Sequence, residues 1–209
     1  MKELKKIFIV LLNYMNMKKV KIKSFDHIFS LLPNKQQDMI KSLEKIRERP
    51  DYHPESSCLE HVRIVTERCI ETGDIDLILS AVFHDIYKFK MNEVNEKSGW
   101  PTARGHEDSA ANMVLDNTDF ILKMGGDPLM VAGICQHHMR IKKFKEMKAS
   151  KKWAMRNQPF FLKVAVFTRA DNMLSKDPMP KMSGFIQDKV FFNETTGQID
   201  FNRKTLKLW

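Results

Sequence analysis

The stretch of residues 75–89, IDLILSAVFHDIYKF, restricts the folds open to this chain most strongly, because it is apolar on most sides when wound as a helix. Asp74, directly before it, is a residue type that caps helix N-termini. Such a helix must be covered by other elements, so the stretch predicts a central helix. His84 and Asp85 stand side by side near its end. Titratable groups in a buried position are costly unless something pairs with them, so this pair calls for a partner.

Helical periodicity extends over most of the remaining sequence and predicts an all-α fold. A helix is expected at 57–73, where Ser57 and Glu60 have the spacing of a capping box and Gly73 provides a stop. Further helices are predicted around residues 7–12, 35–46, 106–118, 128–141 and 159–174.

The C-terminal part departs from this helical pattern. Residues 189–201, KVFFNETTGQIDF, alternate apolar and polar side chains around a Thr-Gly turn, which predicts a β-hairpin. Residues 98–105 are predicted to be a loop. The 209 residues show no repeat and no linker, which favours a single domain. We expect its core at about 50–175, N-terminal helices within 1–49 and the hairpin tail at about 185–209.

Cysteine content, apolar runs and net charge limit the cellular environments and binding partners that are compatible with the sequence. The three cysteines include no CxxC pair, which argues against a disulfide framework or zinc ribbon and favours a reducing compartment. The apolar run at residues 7–12 is too short to span a membrane, so a cytoplasmic location without a membrane partner is predicted. A net charge of +9 suits polyanions or phosphorylated small molecules, although it also serves solubility alone.

Histidines and aspartates recur at or near the ends of the predicted helices. These candidate metal ligands are His61, His84, Asp85, His106, His137, His138 and Asp171. Helices packed in alternating directions can bring such ends to one place. Imidazole and carboxylate together suit divalent Fe, Mn, Co, Ni or Zn, and one or two such ions would neutralise the buried His-Asp pair. The alternative is that these histidines are ordinary core or surface residues.

Three short motifs occur in a defined order along the chain. They are EHV with His61, FHDIYK with His84 and Asp85, and ADNM with Asp171. In this order they resemble the H…HD…D pattern of the HD-domain phosphohydrolase superfamily. The segments GWPTARGHE and ICQHH, and a preceding HPE turn, are similar to the HD domain attached to some bacterial CCA-adding tRNA nucleotidyltransferases. The resemblance covers roughly residues 50–175.

The resemblance implies an HD-type helical bundle with one or two divalent transition-metal ions and a residue set for each role. The implied ligands are the seven side chains above, with His137 preferred over His138 for a second ion. The implied functional residues are Asp85, Lys88 and His106 in catalysis, and Lys88, Arg104 and Arg140 in phosphate binding. The chain departs from the family at Tyr87, where a glycine is frequent, so the pocket beside Lys88 is expected to be narrower.

The implied activity is that of a metal-dependent phosphohydrolase or phosphodiesterase. Its substrate would be a nucleotide or an RNA-terminal phosphate, attacked at phosphorus by a metal-activated water. One alternative is a dinucleoside polyphosphate or nucleoside triphosphate hydrolase, and another is a nucleotide- or RNA-binding module without turnover. The nucleotidyltransferase motif is absent from the sequence, so nucleotide addition is not expected.

A basic segment follows the histidine tandem directly. It contains six lysines from Lys142 to Lys152, and two aromatic residues, Phe144 within this stretch and Trp153 directly after it. Cations and aromatic rings next to a phosphoesterase site could guide an RNA end, because phosphates pair with lysine and bases stack on rings. The alternative interpretation is a solvated helix face.

Overall fold

The computed structural model describes residues 20–51, 53–91, 93–97, 99–174 and 178–182, together with the backbone of three strands between residues 190 and 207. The helix predicted around residues 7–12 lies outside this described part of the chain.

Helices make up most of the described chain, so the fold is all-α, as the sequence predicts. In chain order they are α1 (Phe25–Leu31), α2 (Asn34–Ser42), α3 (Cys58–Thr72), α4 (Ile75–Phe83), α5 (Lys88–Met91), α6 (His106–Asp116), α7 (Thr118–Lys123), α8 (Pro128–Ile141), α9 (Ala149–Arg156) and α10 (Phe161–Asp171). Single 3₁₀ turns lie at Leu43–Lys45 and Phe144–Glu146. Within the described residues, no helix is both long and apolar enough to cross a bilayer.

The boundaries of α3 and α4 follow the capping residues of the sequence. Ser57 accepts a hydrogen bond from the backbone N–H of Glu60 at the start of α3. Gly73 ends that helix in the left-handed conformation, with φ at 72°. Asp74 then accepts hydrogen bonds from backbone N–H groups in the first turn of α4. The capping signals at Ser57, Gly73 and Asp74 all occur where the sequence predicts them. Residues of these types satisfy or end the backbone hydrogen bonding at helix termini.

Helix α4 is the buried centre that its sequence predicts. Every residue from 76 to 83 is buried. Helices α3, α8 and α10 pack against α4, and α6 packs along α8. Full burial of side chains such as Leu79 and Phe83 contributes about 1.5–3 kcal/mol each. The ends of these mutually packed helices therefore lie close enough to share one site.

The central helix is shorter than its apolar pattern indicates. It ends at Phe83, and residues 84–87 form a turn before α5. The N–H of His84 still donates to Ser80, four residues back, whereas the N–H of Lys88 donates to Asp85, three residues back. The chain thus tightens and leaves the α-helix at the two titratable residues.

Short strands complete the fold. The loop predicted at 98–105 instead contains β2 (Pro101–Thr102), which pairs antiparallel with β1 (Glu93–Val94). The prediction was wrong for these two residues, because strands of two residues are too short to produce an alternating pattern in the sequence. The other described residues of this range, 99–100 and 103–105, form neither helix nor strand, as predicted. The C-terminal hairpin prediction is confirmed, because β3 (Val190–Asn193) pairs antiparallel with β4 (Gln198–Phe201). A third strand, β5 (Lys204–Lys207), pairs antiparallel with β4 and was not predicted.

Candidate metal centre

Six of the seven predicted ligands converge inside the bundle, and each is at most 5% exposed. They come from the first turn of α3, the turn after α4, the start of α6, the last turn of α8 and the last residue of α10. In that order they are His61, His84 with Asp85, His106, His138 and Asp171. The convergence of helix ends that the sequence predicts is therefore present.

A first group consists of His61, His84 and Asp85. Each residue offers one ligand atom, and these three atoms lie within 4.8 Å of one another. His84 Nε2 lies 3.3 Å from His61 Nε2 and 3.2 Å from Asp85 Oδ2. Asp171 extends the group, because its Oδ1 lies 3.0 Å from His61 Nε2 and 3.8 Å from His84 Nε2. The four residues of the H…HD…D motifs thus lie together and could hold one ion.

A second group consists of Asp85, His106 and His138, whose ligand atoms also lie within 4.8 Å of one another. Asp85 Oδ1 lies 3.1 Å from His106 Nε2 and 3.8 Å from His138 Nε2. The other oxygen of the same carboxylate, Oδ2, faces His84 in the first group. Asp85 therefore stands between the two groups and could bridge two ions.

All four clustered histidines use Nδ1 for a hydrogen bond that orients the ring. Each Nδ1 faces an acceptor, namely Glu55 Oε1 for His61, and the backbone carbonyls of Ala81, Ala103 and Cys135 for His84, His106 and His138. A carbonyl oxygen can only accept, so Nδ1 of these rings carries the proton. The Nε2 atoms then face into the cluster, which is the arrangement of metal-ligating histidines.

Several buried polar atoms of the cluster have no hydrogen-bond partner among the described residues. They include Asp85 Oδ1 and His106 Nε2. Asp85 Oδ1 and His106 Nε2 are close but lack hydrogen-bond geometry with each other, as expected for two ligands aimed at a shared cation. Because leaving such groups buried and unpaired is costly, the donor set fits a divalent ion.

Both cluster carboxylates are ionised. Burial alone would raise the pKa of Asp85, but the neighbouring His84 and Lys88 hold it well below its usual range. Burial likewise opposes ionisation of Asp171, and Lys142 and His61 lower the pKa of this carboxyl well below its usual range. Two buried negative charges facing imidazole nitrogens are the ligand chemistry that first-row metals require.

His61 of the first group and His138 of the second group differ in proton affinity. Burial alone would lower the pKa of His61, but hydrogen bonds to Asp171 and Glu55 raise it to about 9. An ion at the first group must therefore displace a proton from this ring. Burial, followed by the charge on His84, lowers the pKa of His138 well below its usual range. His138 is consequently a neutral imidazole, ready to ligate.

A third set of possible ligand atoms, from Glu48, Cys58 and Asp85, is already neutralised by a lysine. Lys88 Nζ lies 2.6 Å from Glu48 Oε1 and 2.8 Å from Asp85 Oδ2. Burial raises the pKa of the Cys58 thiol well above its usual range, so no thiolate is present to bind metal. Lys88 lies at the cluster, as predicted, but it is held between two carboxylates.

The structure does not bring His137, the residue preferred from the sequence for a second ion, into the cluster. His137 is only partly buried, its Nδ1 lies 3.2 Å from the Gly133 carbonyl, and its ring packs against Phe160 at 4.7 Å. His138 lies in the cluster instead. The buried stripe of α8 contains Val131, Ile134, Cys135, His138 and Ile141. This helical spacing includes His138 and omits His137, and it was the available signal in the sequence.

Two predicted phosphate contacts, Arg104 and Arg140, are exposed side chains. Within the described part of the chain, neither forms a hydrogen bond or ion pair with the cluster. Their role in phosphate binding stays a prediction.

The predicted basic segment divides into dissimilar parts. Phe144 is 1% exposed and packs against Phe161, with ring centroids 5.6 Å apart, so it belongs to the core and cannot stack on a base. Trp153 is 69% exposed on α9. Lys142 points into the site, where its Nζ lies 2.7 Å from Asp171 Oδ2. The proposed RNA surface is therefore reduced to the lysines beyond Lys142 and to Trp153.

Sequence reasoning assigned no role to Glu55, which orients the first ligand. Its side chain is 1% exposed, and its Oε1 accepts hydrogen bonds from His61 Nδ1 at 2.7 Å and from His53 Nδ1 at 2.8 Å. Burial alone would raise the pKa of Glu55, but these histidines lower it to about 2. The HPE turn contains this residue, and a carboxylate shortly before a metal-ligand histidine was the available signal.

Replacement of Glu55 by Gln is expected to weaken metal binding about 10- to 100-fold, because a neutral amide fixes His61 less firmly and lowers its basicity. Titration of the chelator-treated protein with Mn²⁺ measures this affinity. Glu60→Gln is the matched control, since Glu60 directly precedes His61 in α3 and its side chain is 46% exposed. Equal affinities in both variants would contradict the orienting role of Glu55.

Comparisons with known proteins identify no relative. No family model, no curated protein and no solved structure matches the chain. Likeness to the HD-domain superfamily therefore rests on the ordered motifs of the sequence.

Proposed function

We propose that this chain is a metal-dependent phosphohydrolase acting on a nucleotide or an RNA-terminal phosphate. The observation that carries the proposal is the pair of buried ligand groups that share Asp85. Four histidines with oriented rings and two ionised carboxylates form a donor set whose charge and lone pairs suit divalent cations. The H…HD…D order, which resembles the HD-domain phosphohydrolase superfamily, supports the same chemistry.

The chain would hold two ions in two ligand groups that share Asp85. His61, His84, Asp85 and Asp171 would ligate one ion, and Asp85, His106 and His138 the other. A bound divalent ion supplies Lewis-acid polarisation of a phosphoryl oxygen and a water of lowered pKa. The protein's own contribution is to fix the ring orientations through Nδ1, to keep both carboxylates ionised, and to exclude bulk water by burial of the ligands.

Positive side chains beside the cluster favour an anionic substrate. Lys88 lies against Asp85, and Lys142 lies against Asp171. The net charge of +9 adds a long-range attraction for phosphate-bearing molecules. Together with the ligand set, these ammonium groups support a phosphoester as the substrate class.

Metal analysis followed by a phosphate-release screen tests the proposal. Protein purified without chelator is expected to contain one or two equivalents of a first-row divalent metal. It should act on at least one substrate of a panel. The panel contains nucleoside monophosphates and an oligonucleotide with a terminal phosphate, which would release phosphate, and 2′,3′-cyclic nucleotides, whose phosphate ring would open. Treatment with EDTA should abolish turnover, and added Mn²⁺ should restore it.

The same screen separates the competing activities. Turnover confined to dinucleoside tetraphosphates or nucleoside triphosphates would favour the polyphosphate hydrolase. Metal binding without turnover of any substrate would favour a binding module. Protein that binds no divalent metal would contradict the proposal altogether.

A further inference from the structure

Lys142 belongs to the metal-ligand cluster rather than to the basic surface segment. It follows the last residue of α8 and lies four residues after His138, so it extends the same helical face by one turn. Its Nζ lies 2.7 Å from Asp171 Oδ2, while its side chain is still 31% exposed. Lys142 therefore extends from a buried carboxylate of the site to the protein surface. We call the surface around its exposed side chain the cluster mouth.

Lys88 has an equivalent position beside the other carboxylate of the cluster, that of Asp85. It lies four residues after His84 and 2.8 Å from Asp85 Oδ2. Ammonium groups from two separate elements thus flank the cluster, each one turn beyond a clustered histidine.

The two lysines differ in how firmly they are held. Lys88 also pairs with Glu48 at 2.6 Å, and its side chain is 15% exposed. Lys142 pairs with a single carboxylate among the described residues, and its side chain has about twice that exposure. When Asp171 is engaged elsewhere, Lys142 loses its ion-pair partner, whereas Lys88 keeps Glu48. Lys142 is therefore the ammonium group that can be redirected.

Resting on the proposed function, we propose that Lys142 is a substrate-binding residue. Its ammonium group neutralises Asp171 in the metal-free protein and binds the substrate phosphate once a metal ion engages that carboxylate. A divalent cation at Asp171 repels the ammonium group, because like charges at short range destabilise each other. A half-buried ammonium group then requires another anion, and phosphate oxygens at the cluster mouth provide one.

This role predicts opposite signs for metal and phosphate affinity. Removing the ammonium group removes a competitor for Asp171, so metal binding should strengthen. It also removes a cation from the mouth, so phosphate binding should weaken. A lysine that only oriented Asp171 would weaken metal binding when removed.

The test compares Lys142→Gln with Lys123→Gln, which makes the same charge change at an exposed lysine of α7. Calorimetric titration with Mn²⁺ of chelator-treated protein should show affinity raised about threefold to tenfold in Lys142→Gln. Titration of the Mn²⁺-saturated protein with inorganic phosphate should show affinity lowered about tenfold, and Lys142→Arg should recover most of this loss. Lys123→Gln should match wild type in both titrations.

The outcomes separate this inference from the proposed function. If wild-type protein binds Mn²⁺ and phosphate but Lys142→Gln behaves like Lys123→Gln, the role of Lys142 is refuted and the proposed function stands. Weaker Mn²⁺ binding in Lys142→Gln would make it a residue that orients Asp171, which also overturns the inference. Wild-type protein that binds no Mn²⁺ would refute both.

Discussion

Replacement of Asp85 by Asn is expected to abolish metal-dependent phosphate release and to lower the bound metal in both ligand groups. Its two carboxylate oxygens face different groups, so one substitution removes a negative ligand from each. Loss of about 4 kcal/mol of transition-state stabilisation corresponds to roughly a thousandfold lower rate. Elemental analysis of purified protein and the phosphate-release assay measure the two effects.

The fold should persist in the Asp85→Asn variant. Asn preserves the shape of the side chain, and Lys88 keeps its ion pair with Glu48. Asp116→Asn is the control, because it makes the same chemical change at an exposed residue of α6. Helical circular dichroism should be equal in both variants. An Asp85→Asn protein with full metal content and full turnover would place the active site elsewhere.

Most of the helical fold could be predicted because its signals are local. Ser57, Gly73 and Asp74 each satisfy or terminate backbone hydrogen bonds within a few residues, so their effect can be read without knowing the tertiary structure. The end of α4 at Phe83 could not be predicted in this way. Neither proline nor glycine interrupts the sequence there, and the change in hydrogen bonding accompanies the packing of His84 and Asp85 into the cluster.

The candidate site was predictable in its ligands but less so in its surroundings. The clustered histidines and aspartates occur at helix ends, which the sequence indicates. Glu55, by contrast, lies in an irregular turn, and its nearness to His61 along the chain does not by itself show which atom its carboxylate contacts. The pairing of Lys142 with Asp171 joins residues from two different helices, so it depends on how α8 packs against α10.

Replacement of His138 by Ala is expected to lower the bound metal from two equivalents to one and to reduce turnover about 100-fold or more, while His137→Ala leaves both unchanged. The adjacent histidines point roughly 100° apart around α8, so only one of them faces the cluster. His138 Nε2 lies 3.8 Å from Asp85 Oδ1, whereas His137 packs against Phe160. Elemental analysis and phosphate release on both variants provide the comparison.

The pair is a matched test because chemistry, helix and sequence position are nearly identical. Thermal melting of both variants separates ligand loss from unfolding, since His138 is 1% exposed and its truncation leaves a cavity. Metal lost from His137→Ala but retained in His138→Ala would reverse the assignment of the second ligand group. Unchanged metal content in both folded variants would leave a single ion, held by His61, His84, Asp85 and Asp171. In that case His106 and His138 would not ligate a metal, and Asp85 would not bridge two ions.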